Sequence, residues 1–186
     1  MNSRSALVAA ILLSFSILAF AQGSQAVAQS AAQKAFENIK SLAGNWEGPL
    51  TTVPKLPEIP DGDRIHVSMR LTSRGHALMH EIPGPDDSND PLKHDHPVTV
   101  FYLDGDQLML THYCDAGNRP RMFAKPSPDG KTIEFDFLDV AGPTKAVVMN
   151  HAVFTFIDEN HHTEDWTYSM GGDKRLVAHY DLRRVK

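Results

Sequence analysis

From Asn45 onward the chain is a succession of short β-branched, aromatic or alternating runs divided by turn signals at fairly even spacing. Asp104-Gly105 lies between Thr99–Leu103 and Gln107–Cys114, Asp129-Gly130 precedes Thr132–Leu138, and Gly171-Gly172 divides His162–Ser169 from Lys174–Arg183. These dipeptides tolerate the positive φ that tight hairpins demand, and Arg74-Gly75 and Glu159-Asn160 are weaker versions of the same signal. No helix-length segment separates the strands, so a parallel α/β sheet is excluded. The expectation is all-β, a nearest-neighbour antiparallel meander of about ten strands. A meander of that length closes into an up-and-down barrel, because closure removes two exposed edges.

One helix precedes the strands, over Ser30 to Leu42. Ala32, Ala35, Phe36, Ile39 and Leu42 form a single apolar stripe, Ser30 caps the start, and Gly44 ends it. Further upstream, Arg4 gives a short positive start, Ala6 to Ala21 is apolar apart from Ser14 and Ser16, and small residues follow. That order is expected of a secretory signal peptide over residues 1–28, cleaved after Ala28 or, alternatively, after Ala21. The barrel domain then occupies 29–186, and the expected location is periplasmic or secreted, without stable membrane insertion after cleavage. The formal charge of −5 and the lack of a basic run argue against nucleic acid as a partner. Cys114 is the only cysteine, so an internal disulfide is impossible, and a buried thiol is expected.

Strand parity places side chains. Leu108, Leu110, His112 and Cys114 share one phase, and Leu78, His80 and Ile82 share another. Ile133, Phe135 and Phe137 fall on one face, and His162, Glu164, Trp166 and Tyr168 are in phase. The inward phase of Met149–Asp158 stays open, and His151 with it. Three connections break the regularity: Val53 to Asp63 with its prolines, Pro83 to Pro97 with Asp86, Asp87, Asn89 and Asp90, and Asp139 to Lys145. Long loops of this kind are where binding segments concentrate.

A short helix running into Gly44-Asn45-Trp46, a barrel meander, and Arg183 and Arg184 at the end of the last strand resemble the lipocalin and fatty-acid-binding superfamily. The resemblance implies that Trp46 packs at the closed end beneath a basic residue of the last strand, Arg183 or Arg184, with Arg183 taken first. The segment Leu110 to Met122, with Leu103-Asp104-Gly105-Asp106 and Glu164-Asp165-Trp166, resembles secreted bacterial DUF1579-like barrels, a group with no established reaction. The segment Leu42–Gly48 is also similar to nitrobindin, a haem-binding barrel, but no proximal haem histidine carries over.

The candidate ligand-binding residues are His80 and His112 on apolar faces, with Asn118, Arg119, Arg121 and Trp166. A neutral imidazole in a barrel can orient a carbonyl or hydroxyl, accept a proton or bind a metal, and an arginine can hold a carboxylate in a fork. His94-Asp95-His96 and His161-His162 are local clusters, but nothing supplies C-x-x-C or H-E-x-x-H spacing, and no metal site is assigned. The leading expectation is a barrel that binds one small lipophilic or carboxylate-bearing ligand. The alternatives are a barrel enzyme using His80, His112 or Glu164 for acid–base chemistry, and a haem or metal protein. No cofactor and no oligomeric state is assigned from sequence.

Overall fold

The computed structural model describes residues 29–57, 59, 63–83, 92–143 and 147–186. The signal-peptide segment, the run Asp86–Asp90 and Lys145 lie outside the described residues. Helix α1 (Ala31–Ser41) leads into ten strands: β1 (Gly44–Val53), β2 (Arg64–Thr72), β3 (Ala77–Glu81), β4 (Val98–Asp104), β5 (Gln107–Tyr113), β6 (Arg119–Pro126), β7 (Thr132–Ala141), β8 (Val148–Asp158), β9 (His161–Ser169) and β10 (Arg175–Arg184). Each pairs antiparallel with its sequence neighbours, and β1 pairs with β10, so the sheet is a closed barrel as expected. Gly105, Gly130, Gly171 and Gly172 take positive φ in the hairpin turns.

Helix α1 begins with a capping box: the Gln33 N–H donates to Ser30 Oγ at 3.2 Å, and the Ser30 N–H donates to Gln33 Oε1 at 2.9 Å. Its buried stripe of Ala32, Ala35, Phe36 and Ile39 packs against β4, β5 and β6 and plugs one end of the barrel. Gly44 does not end the helix. Leu42 is its C-cap, and Gly44 opens β1 at φ 140°. A Cβ there would lie 2.6 Å from the Arg184 guanidinium, so the position needs glycine for close approach.

The closed half of the barrel is filled. Phe101, Phe135 and Phe154 form a mutual cluster with ring centroids 5.4–6.0 Å apart, and Phe154 also meets Trp166 at 5.4 Å. Leu78, Leu108, Leu110, Met122 and Ile133 complete this layer with no exposed surface. Two irregularities alter the parity reading. A register shift opposite Arg121 and Met122 falls at Leu138, directly after Phe137, and Phe137 is 41% exposed rather than buried with Phe135. A second shift between Met149 and His151 turns Met149, Ala152 and Phe154 inward and puts His151 on the outer wall against Asp136.

Closure depends on Gly48. A Cβ there would sit 1.7 Å from the Asp181 carbonyl oxygen of β10, a backbone atom that cannot swing away. Gly48→Ala is expected to cost roughly 3 kcal/mol or more in urea unfolding, whereas Gly105→Ala, with open space but positive φ, should cost roughly 1 kcal/mol. Equal costs would show that the β1–β10 approach is not limiting.

Candidate functional site

An up-and-down barrel puts alternate connections at the same end. Here the plug α1 and the β4–β5, β6–β7 and β8–β9 turns share one end, and the three irregular connections all fall at the other. That open end holds a cavity of about 270 Å³. Its rim comes from the connections: Ile59 from β1–β2, Asp95 and Pro97 from β3–β4, Cys114, Asp115 and Ala116 from β5–β6, Val147 from β7–β8 and Met170 from β9–β10. Its walls and floor come from strands, with Leu50 and Thr52 of β1, His112 of β5, Tyr168 of β9, and Leu176, Ala178 and Tyr180 of β10.

His112 and His80 are brought together by register. Thr99 of β4 stands between them, paired with His80 on β3 and with His112 on β5, and all three side chains are buried. Thr99 Oγ1 lies 2.8 Å from His112 Nδ1, so one of the two donates to the other. His112 Nε2 is buried and has no hydrogen-bond partner. Burial, reinforced by charge at His80, pushes the His112 imidazolium down to about 4, so the ring is neutral at neutral pH. Its free Nε2 is an acceptor if Nδ1 carries the proton and a donor if the Thr99 hydroxyl gives its own.

Below this floor sits a carboxylate with no exposed surface. Glu164 Oε2 accepts from His80 Nε2 at 3.0 Å and from Trp166 Nε1 at 2.9 Å, while Oε1 accepts from His162 Nε2 at 2.9 Å. Burial pushes the Glu164 carboxyl up, but the His80 charge and the His162 and His80 N–H groups outweigh it and hold the group at about 2. Glu164 is therefore a fixed anion embedded in aromatic walls. Trp46 meets His162 edge-on at 4.2 Å and donates its Nε1 hydrogen to the Leu42 carbonyl at 2.7 Å.

The residue over Trp46 is Arg184, not Arg183. The Arg184 guanidinium lies 4.2 Å from the Trp46 ring centroid and donates to the carbonyls of Ala43 at 2.7 Å, Ser41 at 2.9 Å and Glu159 at 3.1 Å. Arg183 has the opposite parity and is exposed. Among the other candidates, Trp166 lies 6.1 Å from His112 and 5.4 Å from His80, centroid to centroid. Asn118 is buried and donates to the Val147 carbonyl at 2.9 Å, tying the β5–β6 turn to the segment before β8. Arg119 is exposed, and Arg121 is exposed on the outer wall, where its Nε donates to Asp139 Oδ1 at 2.8 Å. Neither arginine reaches the cavity lining. Cys114 is half-buried at the rim rather than fully buried, and burial pushes its thiol up.

Sequence parity places Tyr168 in phase with Trp166, but it does not single out Tyr180, or Thr99 although Thr99 is in phase with Phe101. Burial raises both tyrosine hydroxyls above their usual range, so both stay neutral. Among the described residues, no group of three or more histidine, cysteine, aspartate or glutamate side chains is arranged to hold a metal ion.

No protein-family model matches the chain, and no curated protein matches it. Solved structures do, and what they share with this chain is a β-barrel fold. One is Rv2717c from M. tuberculosis, 17% identical, with a TM-score of 0.56 over 82% of this chain and 98% of that one. Another is a protein of unknown function of the DUF3598 family from Nostoc punctiforme PCC 73102. It is 14% identical, with a TM-score of 0.54 over 79% of this chain, which spans 48% of the Nostoc protein. At these identities the likeness concerns the fold.

The two buried groups give the barrel an acid-labile core. His112 has a folded-state value below its ordinary 6.5, so the unfolded chain takes up a proton that the folded one refuses, and stability falls as pH drops from about 6.5 to about 4. Glu164 is depressed from 4.5, so its contribution is complete above pH 4.5 and is lost as pH falls toward 2. Urea unfolding of His112→Leu should show a slope between pH 6.5 and 4.5 shallower than that of the parent, by up to about 3 kcal/mol in total. Glu164→Gln should cost about 3 kcal/mol at pH 7, because three donors lose a common anion. Parallel pH slopes for parent and His112→Leu would refute the neutral-histidine account.

Proposed function

We propose that this chain is an exported barrel that binds one small, largely apolar molecule in the cavity at its open end. The observation that carries the reading is the unpartnered His112 Nε2 beside an otherwise mostly apolar pocket. A buried polar atom without a partner costs about 1–3 kcal/mol, and a ligand atom on the cavity floor relieves that cost. Pockets with apolar walls and a few fixed polar groups are the usual form of small-molecule sites.

The size is restrictive. A volume of 270 Å³ is room for about nine waters, which favours a compact ligand over a long acyl chain or a haem. The absence of Arg119 and Arg121 from the lining removes the fork that a fatty-acid carboxylate would use. An acid–base role for Glu164 has less support, because its oxygens are committed to three N–H groups and it does not line the cavity. Membership of the DUF1579-like secreted group rests on the segment Leu110 to Met122, and export rests on the charge-apolar-small order of residues 1–28. No described helix is long and apolar enough to cross a membrane. The outer wall carries the Arg121–Asp139 ion pair and the polar contacts His179–Asp165 and His161–Asp181, where a lipid-facing strand would be apolar.

Native mass spectrometry of the full chain expressed with its leader in a Gram-negative host should give a mature protein beginning at Gln29, recovered from the periplasm. It should carry one small molecule per chain or bind N-phenyl-naphthylamine at one site. His112→Phe, which fills the floor and removes Nε2, should weaken retention of the extracted molecule by roughly fivefold to tenfold. A folded chain that carries nothing and does not bind the probe would overturn the binding reading, and a cytoplasmic chain with residues 1–28 intact would overturn export.

A further inference from the structure

The binding reading leaves the charge of the ligand open, and the cavity rim answers it. Asp95 and Asp115 both line the rim, and they are tied together: the Asp115 backbone N–H donates to Asp95 Oδ1 at 3.0 Å. Among the described residues, no lysine or arginine lines the cavity. His112 on the floor is neutral, and the Cys114 thiol is held protonated by burial, so neither balances or adds to the two carboxylates. Two aromatic rings, Tyr168 and Tyr180, face the same space. A cation stacks favourably on such rings, while a carboxylate does not.

We propose that the site selects a small molecule with a protonated amine, its cationic end held at the Asp95–Asp115 rim and a neutral polar atom at the other end meeting His112 Nε2. The proposal rests on the binding reading above and deepens it. Two independent features carry it: the carboxylate pair in a cavity whose described lining holds no lysine or arginine, although Lys93, His94 and His96 line the outer face of the same rim, and the unpartnered Nε2 of a histidine only 3% exposed at the floor. Burial and the charge of Asp115 push the Asp95 carboxyl up, the strain that an incoming cation relieves. The net charge of −5 acts in the same direction, drawing cations toward the protein. A carboxylate-bearing ligand would meet two like charges at the entrance and find no cation inside.

Tyramine, para-ethylphenol and para-hydroxyphenylacetate share a phenol ring and a two-carbon arm, and they differ in a positive, absent or negative charge at its end. Titrations read by calorimetry and by tryptophan fluorescence, with Trp166 close to His112 as reporter, rank them on the mature chain. Tyramine should bind roughly tenfold tighter than para-ethylphenol, and para-hydroxyphenylacetate should bind weakest. Asp95→Asn and Asp115→Asn should each narrow that gap, read as the ratio of tyramine to para-ethylphenol affinity within each variant, and added salt should narrow it in the parent. Thermal melts of both variants establish that they are folded. If para-ethylphenol binds and tyramine binds no tighter, or if the gap survives both substitutions, the amine inference is overturned while the binding reading stands. If N-phenyl-naphthylamine binds but tyramine does not displace it, the inference again fails alone. If neither the probe nor any of the three phenols binds, both fail together.

Discussion

Ten strands joined only by near-neighbour connections leave two long edges unless the first strand meets the last. The pairing of β1 with β10 satisfies both edges at once, and every other feature of the molecule follows from it. Closure gives the sheet an inside, so alternation along each strand becomes a division between lumen and outer wall. It also assigns the connections to two ends, and the helix α1 fills one of them. The close approach at Gly48 and the guanidinium of Arg184 over Trp46 both lie along this seam, where β1 and β10 come together. A basic side chain reaching three carbonyls of other segments ties the helix end, the β8–β9 turn and β10 into one unit.

Inside, the barrel is divided between two kinds of filling. The closed half is packed with aromatic and aliphatic side chains at no exposure. Among them runs a polar group in which His80, His162 and Trp166 all donate to Glu164, His162 Nδ1 is left without a partner, and Thr99 holds one side of His112. A buried carboxylate is tolerated only when donors replace its water, and here three do. His112 lies beside this group, 6.1 Å from Trp166, and also lines the open cavity. The open cavity is lined from all five open-end connections.

Rv2717c and the Nostoc protein share the barrel fold with this chain. A shared barrel at 17% and 14% identity reflects the common demands of closure and core filling, which many sequences meet. The identity of a ligand resides in the rim and floor residues, and those are supplied by loops and by a few inward positions that the fold does not constrain.

Much of the architecture was readable from the residues in order. Turn dipeptides at even spacing and the absence of helices between strands determined an antiparallel meander, and the length of the meander determined its closure, because both are local or nearest-neighbour effects. Parity put His80 and His112 on apolar phases for the same reason, and it put Glu164 in phase with Trp166 without deciding that the carboxylate is buried. It failed at Phe137, which is exposed although Phe135 is buried, and it left His151 open, where a bulge decides the outcome. It also could not choose between Arg183 and Arg184, which differ by a single register step. What the tertiary structure alone decided was which inward residues meet: Glu164 with His80 across the lumen, Thr99 between two histidines, Asp95 beside Asp115 at a shared rim. These pairs are brought together by the register of strands and by loops distant in sequence, and no periodicity within one strand records which residue of another strand will stand opposite.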